Sequence, residues 1–457
     1  MGVVRVIVVG AGKVGYDIAK RLSGEGHDVT LVDKLDKNLR EAAAHLDIMT
    51  LDGNGASPTV LEQAGVERAD MLIAVTDIDE VNMIACFTAK RYGVGICCAR
   101  VRDPDYTEAF TRVSSRLLGI DRVINPDHLT ALEIMRLLQM PAATYVESFA
   151  EGRVTLVRVR VGEASPVAGV PLREAEFGGF LVAAIEHEER LSIPYGDSVI
   201  SPGDNVYLLG HTDNLESIGR IAGSERLPAK NVVVVGGGKL GLRLAQMLTA
   251  RGSRGSHKVK LIEIDAERCD ELADLVPQAL VIHGDGERID VLREELVGAG
   301  DAFVAVTGKD HTNVLATMVA KELGVSQAIT KISREDYTLL AEKAGADAVV
   351  VPRLIAAGTI LRMVRQSSNL VNLAVIEEGK GEVLEFDVGE EAEVVGRRLA
   401  DVSRLEDALI GVITRGEDVI IPSGESVIQR GDRVIVIALP QAVPAVMRRF
   451  GAKGRRG

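Results

Sequence analysis

A glycine-rich segment near residue 10 has the residue types and the spacing to bind a phosphate. Gly10, Gly12 and Gly15 follow the apolar run VVRVIVV and form the pattern GxGxxG. The missing side chains permit a tight turn, a close approach of the backbone to a pyrophosphate, and close packing of a helix on a strand. The free N–H groups and the dipole at the start of that helix favour an anion. The segment therefore predicts a phosphate site.

Asp33 ends a second apolar run, DVTLVD, which follows the predicted helix. A carboxylate at this point can accept hydrogen bonds from both hydroxyl groups of an adenosine ribose, which favours NAD, or another adenine nucleotide with a free 2′-hydroxyl, over NADP. Strand, glycine turn, helix, second strand and terminal acid occur in the order that a dinucleotide-binding motif requires. The alternative is a purely structural tight turn in an α/β domain.

Two further apolar runs, ADMLIAVT and ICCARV, predict buried strands of the same sheet. Thr76 and Asp77 come at the carboxyl end of the first run, and Arg100 lies near the end of the second. In open parallel sheets this edge faces the ligand crevice. Arg100 and Lys13 could both meet phosphate charge, with a surface salt bridge as the alternative for each.

The pattern changes after the first predicted sheet. The run from Pro126 to about Met140 predicts a helix that is too apolar for a one-sided surface helix, so it needs a partner: the following domain, another subunit or its own domain. From about residue 143 the alternation of apolar and polar residues predicts a small β-rich domain. His187 lies there in the charged run EHEER and is expected to be solvated.

The second half of the chain repeats the first. NVVVVGGGKLG repeats RVIVVGAGKVG, and the β domain returns as IIPSGESVIQRGD against SIPYGDSVISPGD. Four extra residues in the second copy coincide with the loop from Ser253 to Ser256. This tandem duplication predicts an α/β fold: two copies of a Rossmann-like doubly wound parallel sheet domain, each followed by a small β-rich α+β domain. The expected domains are residues 1–125, 143–225, 229–350 and 370–453.

The second copy retains the features of the first candidate site. Gly236, Gly238 and Gly241 keep the glycine pattern, and Glu263 ends the strand VKLIE where Asp33 ended its own. We therefore expect a second nucleotide site. The extra loop, and Lys331 at the place of Arg100, could change its ligand preference.

Composition narrows the class of protein. The chain has 457 residues, a formal net charge of −13 and a pI near 5.3, which argues against a general nucleic-acid surface. No apolar run reaches the length of a membrane helix and no signal peptide is evident, so we expect a cytoplasmic protein that does not itself span a membrane. The four cysteines show no CxxC spacing and the eight histidines are scattered, so no metal site is predicted.

The succession GAGKVG, LVD, LEQAGVERADMLIAVTDIDEVNM and ARVRDPDY, followed by a full second copy, resembles the TrkA family. These are the peripheral NAD-binding subunits of bacterial and archaeal Trk potassium-uptake systems. The resemblance covers essentially the whole chain, and its most specific part runs from Leu61 to Met83. Each half resembles one RCK unit, a regulator of potassium conductance with an N-terminal nucleotide domain and a C-terminal β-rich domain.

The resemblance implies a set of nucleotide contacts in each half. In the first half these are Gly10, Ala11, Gly12, Lys13, Val14, Gly15, Asp33, Thr76, Asp77 and Arg100. In the second half they are Gly236, Gly237, Gly238, Lys239, Leu240, Gly241 and Glu263. Gly308 and Lys309 replace the pair Asp77 and Ile78, which could alter the adenine or ribose contacts of the second site.

The resemblance also implies a function without catalytic residues. A homo-oligomer, dimer or tetramer, would form a cytoplasmic gating ring on the inner face of the membrane, docked on a potassium-translocating membrane subunit. NAD(H), or ATP and ADP, would shift the ring between conformations. A ligand can do this only if it binds the two conformations with different affinity.

Two alternatives remain open at this point. An NAD-dependent oxidoreductase would need a proton donor or acceptor beside the nicotinamide. His128 and His311 are the only histidines near predicted ligand edges, and a helix-surface role is favoured for both. A regulator of another cation channel or antiporter would share the RCK units, although such proteins more often carry one unit than two.

Overall fold

The computed structural model describes residues 3–103, 105–106, 118–224, 228–250, 257–295, 301–365, 370–376, 379–389, 392–401 and 406–450. The predicted insertion from Ser253 to Ser256 lies outside these ranges. The chain forms two compact units, one of Met1–Thr130 with Val351–Arg365 and one of Ala131–Val350 with Gln366–Gly457.

The first unit is built on a six-stranded parallel sheet. Its strands are β1 (Arg5–Val9), β2 (Asp28–Asp33), β3 (Met49–Asp52), β4 (Met71–Ala74), β5 (Ile96–Arg100) and β6 (Arg122–Ile124). Its helices include α1 (Lys13–Gly24), α2 (Asp36–His45), α3 (Pro58–Gln63) and α4 (Asp79–Arg91). The strand order is β3-β2-β1-β4-β5-β6, so the direction of winding reverses between β1 and β4. Val6 and Val8 face one apolar cluster while Ile7 and Val9 face another, which is why β1 is apolar throughout.

The first β-rich segment follows helix α5 (Pro126–Gln139). Its strands are β7 (Ala143–Phe149), β8 (Val154–Arg160), β9 (Phe180–His187), β10 (Arg190–Ser192) and β11 (Asn205–His211), and helix α6 (Ile218–Ala222) follows them. They form an antiparallel sheet in the order β10-β9-β11-β8-β7. The central strands carry apolar residues on both faces, because one face contributes Val157 and Leu208 to one apolar cluster and the other contributes Leu156 and Tyr207 to a second.

A second six-stranded parallel sheet repeats the first. Its strands are β12 (Asn231–Val235), β13 (Lys258–Glu263), β14 (Leu280–His283), β15 (Asp301–Ala305), β16 (Gln327–Lys331) and β17 (Ala348–Val350). Its helices include α7 (Lys239–Thr249), α8 (Ala266–Leu275), α9 (Ile289–Glu295), α10 (Asp310–Glu322) and α11 (Thr338–Lys343). The order β14-β13-β12-β15-β16-β17 matches that of the first sheet, so the duplication in sequence is a duplication of fold.

The second β-rich segment repeats the first in the same way. It follows helix α12 (Pro352–Arg365) and contains β18 (Leu370–Ile376), β19 (Gly381–Asp387), β20 (Ala408–Arg415), β21 (Asp418–Ile420), β22 (Arg433–Ala438) and helix α13 (Val443–Phe450). The antiparallel order is β21-β20-β22-β19-β18. Short 3-10 helices lie at Val66–Arg68, Ala150–Gly152, Thr212–Ser217, Glu335–Tyr337 and Leu399–Asp401. The fold class predicted from the sequence is confirmed.

Helix α5 does find partners, as its apolar composition predicts. Its buried residues Ala131, Ile134, Leu137 and Leu138 share one cluster with the first β-rich segment and with strands of the second parallel sheet. Gln327 of β16 donates a hydrogen bond of 2.9 Å to the carbonyl oxygen of Leu137. The same oxygen accepts the backbone N–H of Met140 at 3.0 Å, so this carbonyl group near the helix end has two donors.

Helix α12 follows the second parallel sheet in the chain but packs in the first unit. Its buried residues share a cluster with Ile18 and Leu22 of α1; they are Ala356, Ala357, Ile360 and Leu361. Arg353 at the start of α12 forms an ion pair of 2.9 Å with Asp17 of α1, and both side chains are largely buried. The sequence analysis did not predict this connection.

The two antiparallel sheets of the second unit pack on each other. Their shared apolar cluster includes Phe149, Leu156, Tyr207, Val383, Val412 and Ile437. In the same unit the side chain of His187 is 60% exposed, as expected, and its Nδ1 also lies 2.6 Å from a carboxylate oxygen of Asp204. Among the helices described here, none combines the length and the apolar character needed to cross a membrane.

Candidate nucleotide sites

The two outer glycines of the first pattern are required by the turn itself. Gly10 has φ +105°, and a Cβ atom there would lie 2.9 Å from the backbone nitrogen of Thr76. A Cβ atom on Gly15 would lie 1.8 Å from the carbonyl oxygen of Gly10. Both positions therefore exclude any larger residue. The second half repeats this geometry. Gly236 has φ +107°, and a Cβ atom on Gly241 would lie 1.9 Å from the carbonyl oxygen of Gly236.

The middle glycine has a different environment. A Cβ atom on Gly12 would meet no protein atom within 4 Å, and the same holds for Gly238. Each is the N-cap residue of its helix, α1 or α7, and neither helix has a side-chain cap. The first-turn N–H groups thus face open space at a positive helix end. This arrangement fits a pyrophosphate close to the backbone.

The neighbouring predicted contacts act through different atoms. Lys13 and Lys239 have exposed side chains, whereas Ala11, Gly237 and Leu240 are buried and Val14 is half-buried. Ala11, Gly237 and Leu240 can therefore contact a ligand only through their backbone groups.

The carboxylate of Asp33 lies against the glycine turn. Its Oδ2 accepts a hydrogen bond of 2.5 Å from the backbone N–H of Ala11, and its Oδ1 accepts one of 2.8 Å from Leu35. A carboxylate has about four lone-pair sites, so acceptor capacity remains for ribose hydroxyl groups. The two backbone bonds fix the orientation of the side chain at the end of β2.

Glu263 reproduces this arrangement in the second half. Its Oε2 accepts a hydrogen bond of 2.6 Å from the N–H of Gly237, and its Oε1 accepts from Ile264 and Asp265 at 2.8 and 3.1 Å. The longer side chain therefore reaches the same place in its own turn as Asp33 does. Both acids thus lie at the ends of their strands, as the sequence indicates, and beside their glycine turns.

Arg100 lies beside Thr76 and Asp77 at the carboxyl edge of the first sheet. Its Nη1 donates to the carbonyl oxygen of Thr76 at 3.2 Å and pairs with Asp77 at 2.9 Å. The side chain of Asp77 is 90% exposed and that of Arg100 is 13% exposed. Within the described part of the chain the buried Nε of Arg100 has no hydrogen-bond partner. The guanidinium thus retains an unpaired donor at this edge of the sheet.

Asn82 holds this edge together, and the sequence analysis missed it. Its fully buried amide nitrogen donates to the carbonyl oxygens of Thr76 and Arg100 at 3.0 and 2.9 Å. Its Oδ1 accepts from the backbone N–H and the hydroxyl group of Thr76, both at 2.8 Å. The side chain therefore uses its full hydrogen-bonding capacity to connect the ends of β4 and β5.

Asn313 makes the corresponding bonds in the second half. It connects Thr307 to the carbonyl oxygen of Lys331, the latter at 2.9 Å. The signal was present in the sequence, because the paired runs VTDIDEVN and VTGKDHTN both end in asparagine.

The second site departs from the first at several side chains. Lys331 takes the place of Arg100 and donates to the carbonyl oxygen of Thr307 at 2.9 Å. Gly308 leaves no carboxylate at the place of Asp77. Arg268 of α8 donates to the carbonyl oxygen of Gly237 at 3.1 Å. The two sites thus share their turn and acid but differ in the charges around them.

The two histidines near the predicted ligand edges both lie on helices. His128 is half-buried on α5 and His311 is exposed on α10. In the described ranges no three His, Cys, Asp or Glu side chains are grouped so as to hold a metal ion.

Comparison with known proteins places the chain in a family. The TrkA-N domain model matches residues 6–126 and 232–352, and the TrkA-C domain model matches residues 156–223 and 383–451. The chain belongs to the TrkA family. The four matches alternate along the chain in the order that the duplication predicts, and the resemblance read from the sequence is confirmed.

Several curated relatives align with the TrkA-family chain over nearly its whole length. One is the Trk system potassium uptake protein TrkA homolog 1 of Methanosarcina mazei, 33% identical over 98% of this chain and 100% of the relative. The TrkA protein of Azorhizobium caulinodans is also 33% identical, over 98% of each chain. That of Halomonas elongata is 34% identical over 95% of this chain and 96% of the relative.

Two solved structures share the fold. The RCK domain of GsuK superposes with a TM-score of 0.61 at 18% identity, covering 99% of this chain and 96% of that one. The GsuK channel bound to NAD gives a TM-score of 0.60 at 17% identity, covering 99% of this chain and 79% of that one. The likeness shows that the TrkA-family chain has the tandem fold of an RCK protein.

Proposed function

We propose that this TrkA-family chain is the nucleotide-binding regulatory subunit of a Trk-type potassium-uptake system. The observation that carries the proposal is the repeated site: an open helix N-terminus above Gly12 and Gly238, each beside a carboxylate fixed on its glycine turn. Relatives that align over the whole chain are named as Trk system potassium uptake proteins.

NAD(H) would contact residues on both sides of the point where the winding of the first sheet reverses, between β1 and β4. The backbone from Gly10 to Gly15 would hold the pyrophosphate, and the carboxylate of Asp33 would accept the adenosine ribose hydroxyls. Arg100, with a free donor at this edge, would meet negative charge while Thr76 and Asp77 line the same edge. ATP or ADP offers the same adenosine and phosphate groups, and the second site would use the backbone from Gly236 to Gly241 with Glu263.

A bound nucleotide supplies negative charge and hydroxyl groups. Regulation requires that two conformations of the protein bind the nucleotide with different affinities. Tenfold discrimination at one site shifts the equilibrium by about 1.4 kcal/mol, whereas equal affinity shifts nothing. Two sites in each chain, repeated in a homo-oligomeric ring, add their contributions. Such a regulator needs no catalytic acid or base, so we propose that the chain is not an enzyme.

The remaining parts of the proposal concern organisation. The four domains are residues 1–125, 143–225, 229–350 and 370–453. The chain forms a dimer or tetramer in the cytoplasm, peripheral on the inner face of the membrane, and docks on a potassium-translocating membrane subunit.

The test compares Asp33→Ala and Glu263→Ala with the wild type. Calorimetric titration with NADH and ATP measures binding to the purified chain, and rubidium uptake is measured in cells that lack their own copy. We expect each substitution to weaken nucleotide binding at its own site about tenfold or more, because a group that fixes the ribose is lost. Uptake should then respond less to the nucleotide.

The matched control is Asp28→Ala, which removes an exposed acid from the opposite end of the strand that carries Asp33. It should leave binding and uptake unchanged. Uptake that is indifferent to the presence of the chain would refute the transport role, and unchanged affinity in both site variants would refute the sites.

A further inference from the structure

The hairpin of β9 and β10 is closed by a histidine and a buried acid. Nδ1 of His187, at the end of β9, lies 2.6 Å from Oδ1 of Asp204, whose side chain is only 6% exposed. Oδ2 of Asp204 accepts a hydrogen bond of 2.8 Å from the N–H of Ser201. The carboxylate is therefore fixed by the backbone, and the imidazole connects the hairpin to it.

The second half contains the same connection with a different cation. Arg415, at the end of β20, binds Asp432 through Nε and Nη2 at 2.8 and 2.9 Å. Asp432 is 1% exposed and accepts a hydrogen bond of 2.7 Å from the N–H of Gln429. The acid and its backbone support are thus repeated, but a group that titrates near neutrality stands where the other hairpin has a permanent cation.

The two hairpin turns also differ in strain. Glu188 and Glu189 form the turn between the paired residues His187 and Arg190, and both have positive φ, +46° and +63°. Non-glycine residues adopt this conformation at a cost. The turn of the second hairpin has Gly416 at φ +57°, which glycine adopts without a Cβ penalty.

Each hairpin tip contacts the other antiparallel sheet. Nζ of Lys380, just before β19, donates to the carbonyl oxygen of Glu189 at 2.9 Å. In the corresponding contact, Arg153 donates through Nη1 to the carbonyl oxygen of Gly416. The turn that carries the strain is therefore one of two equivalent contacts between the sheets.

We propose that His187 and Asp204 form a proton-operated clasp, which holds the first hairpin against the second sheet when His187 is charged and releases it as the pH rises. The pair Arg415 and Asp432 holds the second hairpin at any physiological pH. A change in cytoplasmic pH would thus loosen one of the two contacts and leave the other, giving the unit an asymmetric response to protons.

The charges around His187 support the direction of this response. The hydrogen bond and the charge of Asp204 raise the pKa of His187. Desolvation lowers this pKa, and the charge of Glu188 raises it further. Arg190 lies opposite in the register and its charge works against protonation. Glu186, the preceding residue, is buried and already paired with Arg158 at 3.1 Å, with Lys380 at 3.9 Å.

The sign follows from linkage. A histidine whose pKa is raised by folding adds stability below its unfolded value, and that stability is lost as the pH rises through the folded value. The clasp is therefore closed below the folded pKa of His187 and opens as the pH rises through it. An arginine at the same place does not titrate in this range.

The test uses the full chain and two reciprocal substitutions, His187→Arg and Arg415→His. Amide hydrogen exchange of the segments 180–192 and 408–420 is measured between about pH 6 and about pH 8.5 and corrected for the intrinsic rate. In the wild type, protection of the segment 180–192 should fall about two- to fivefold more than in His187→Arg, the range expected for an exposed ion pair. Arg415→His should transfer the pH dependence to the segment 408–420.

A neutral variant completes the design. His187→Gln should show, at every pH, the low protection that the wild type shows at high pH. Equal pH dependence in the wild type and His187→Arg would overturn the proposal, as would an imidazole NMR titration of His187 with its midpoint at or below the usual value of about 6.5. These measurements involve neither nucleotide nor membrane partner, so their outcome is independent of the proposed transport role.

Discussion

At the scale of the residue, the candidate sites depend on side chains that do not face the ligand. Asn82 and Asn313 are fully buried and connect the ends of two strands through four hydrogen bonds each. By holding Thr76 and the backbone of Arg100, Asn82 positions the edge that carries the ion pair with Asp77. It is a positioning residue for the first site, as Asn313 is for the second.

Asn82→Ala should weaken nucleotide binding at the first site about tenfold and lower the free energy of unfolding by about 1–3 kcal/mol, because backbone groups of Thr76 and Arg100 are left buried without partners. Calorimetric titration and thermal melting measure the two effects. Asn313→Ala is the matched variant and should affect the second site alone. If Asn82→Ala lowered stability but left the affinity of the first site intact, the positioning role would be wrong.

At the scale of the element, the duplication in sequence does not show where helices α5 and α12 pack. Each follows its own parallel sheet in the chain, yet α12 packs on α1 of the first unit, and most of the buried residues of α5 belong to the core of the second. The contact face of α12 combines the large residues Ile360 and Leu361 with the small residues Ala356 and Ala357, all of them buried. Small side chains allow two helices to approach closely, which leaves little room for a larger residue.

Ala357→Leu should therefore lower the free energy of unfolding by about 1–3 kcal/mol through overpacking against α1. The adjacent Gly358 provides the control, since a Cβ atom there would meet no protein atom within 4 Å. Gly358→Ala should raise stability by about 0.5–1 kcal/mol, the usual gain for alanine in a helix interior. Thermal melting distinguishes the two, and equal melting temperatures for both variants would contradict this packing.

At the scale of the whole molecule, the second unit joins its two antiparallel sheets through charges as well as apolar residues. Arg433 of the second sheet binds Glu151 of the first β-rich segment at 3.0 Å and Asp387 at 2.8 Å, and it lies 3.8 Å from the buried Glu385. Glu385 also accepts a hydrogen bond of 3.1 Å from the N–H of Ala150 in the first β-rich segment. Burial raises the pKa of Glu385, while the bond from Ala150 and the charge of Arg433 lower it.

Arg433→Ala should cost about 2–4 kcal/mol near neutral pH, because it leaves a buried carboxylate without its cation. The cost should shrink as the pH falls and Glu385 takes up a proton, since the neutral acid no longer needs the pair. A double-mutant cycle with Glu385→Gln, followed by thermal melting at several pH values, measures the coupling. An Arg433→Ala effect that is the same in the Glu385→Gln background would show that the two side chains are uncoupled.

The sequence alone determined the features that depend on neighbouring residues. The glycine spacing specifies the turn because a Cβ atom on Gly15 would collide with the carbonyl oxygen of Gly10, a constraint that operates within one turn and helix. The contact of Gly10 with the backbone of Thr76 depends on the tertiary structure. The acids at the ends of β2 and β13, the alternation of the β-rich segments and the duplication are equally local, so pattern and period reveal them. The TrkA family could be recognised from the same local motifs.

Only the tertiary structure decided which distant residues meet. The packing of α12 on α1, the bonds of Asn82 and the pairing of His187 with Asp204 each join segments whose individual patterns allow several partners. An apolar helix face predicts that the helix will be buried but not which surface it will pack against, because the hydrophobic effect is non-directional. The charged run around His187 does not show that the histidine will meet a buried carboxylate, because the strand register decides that contact.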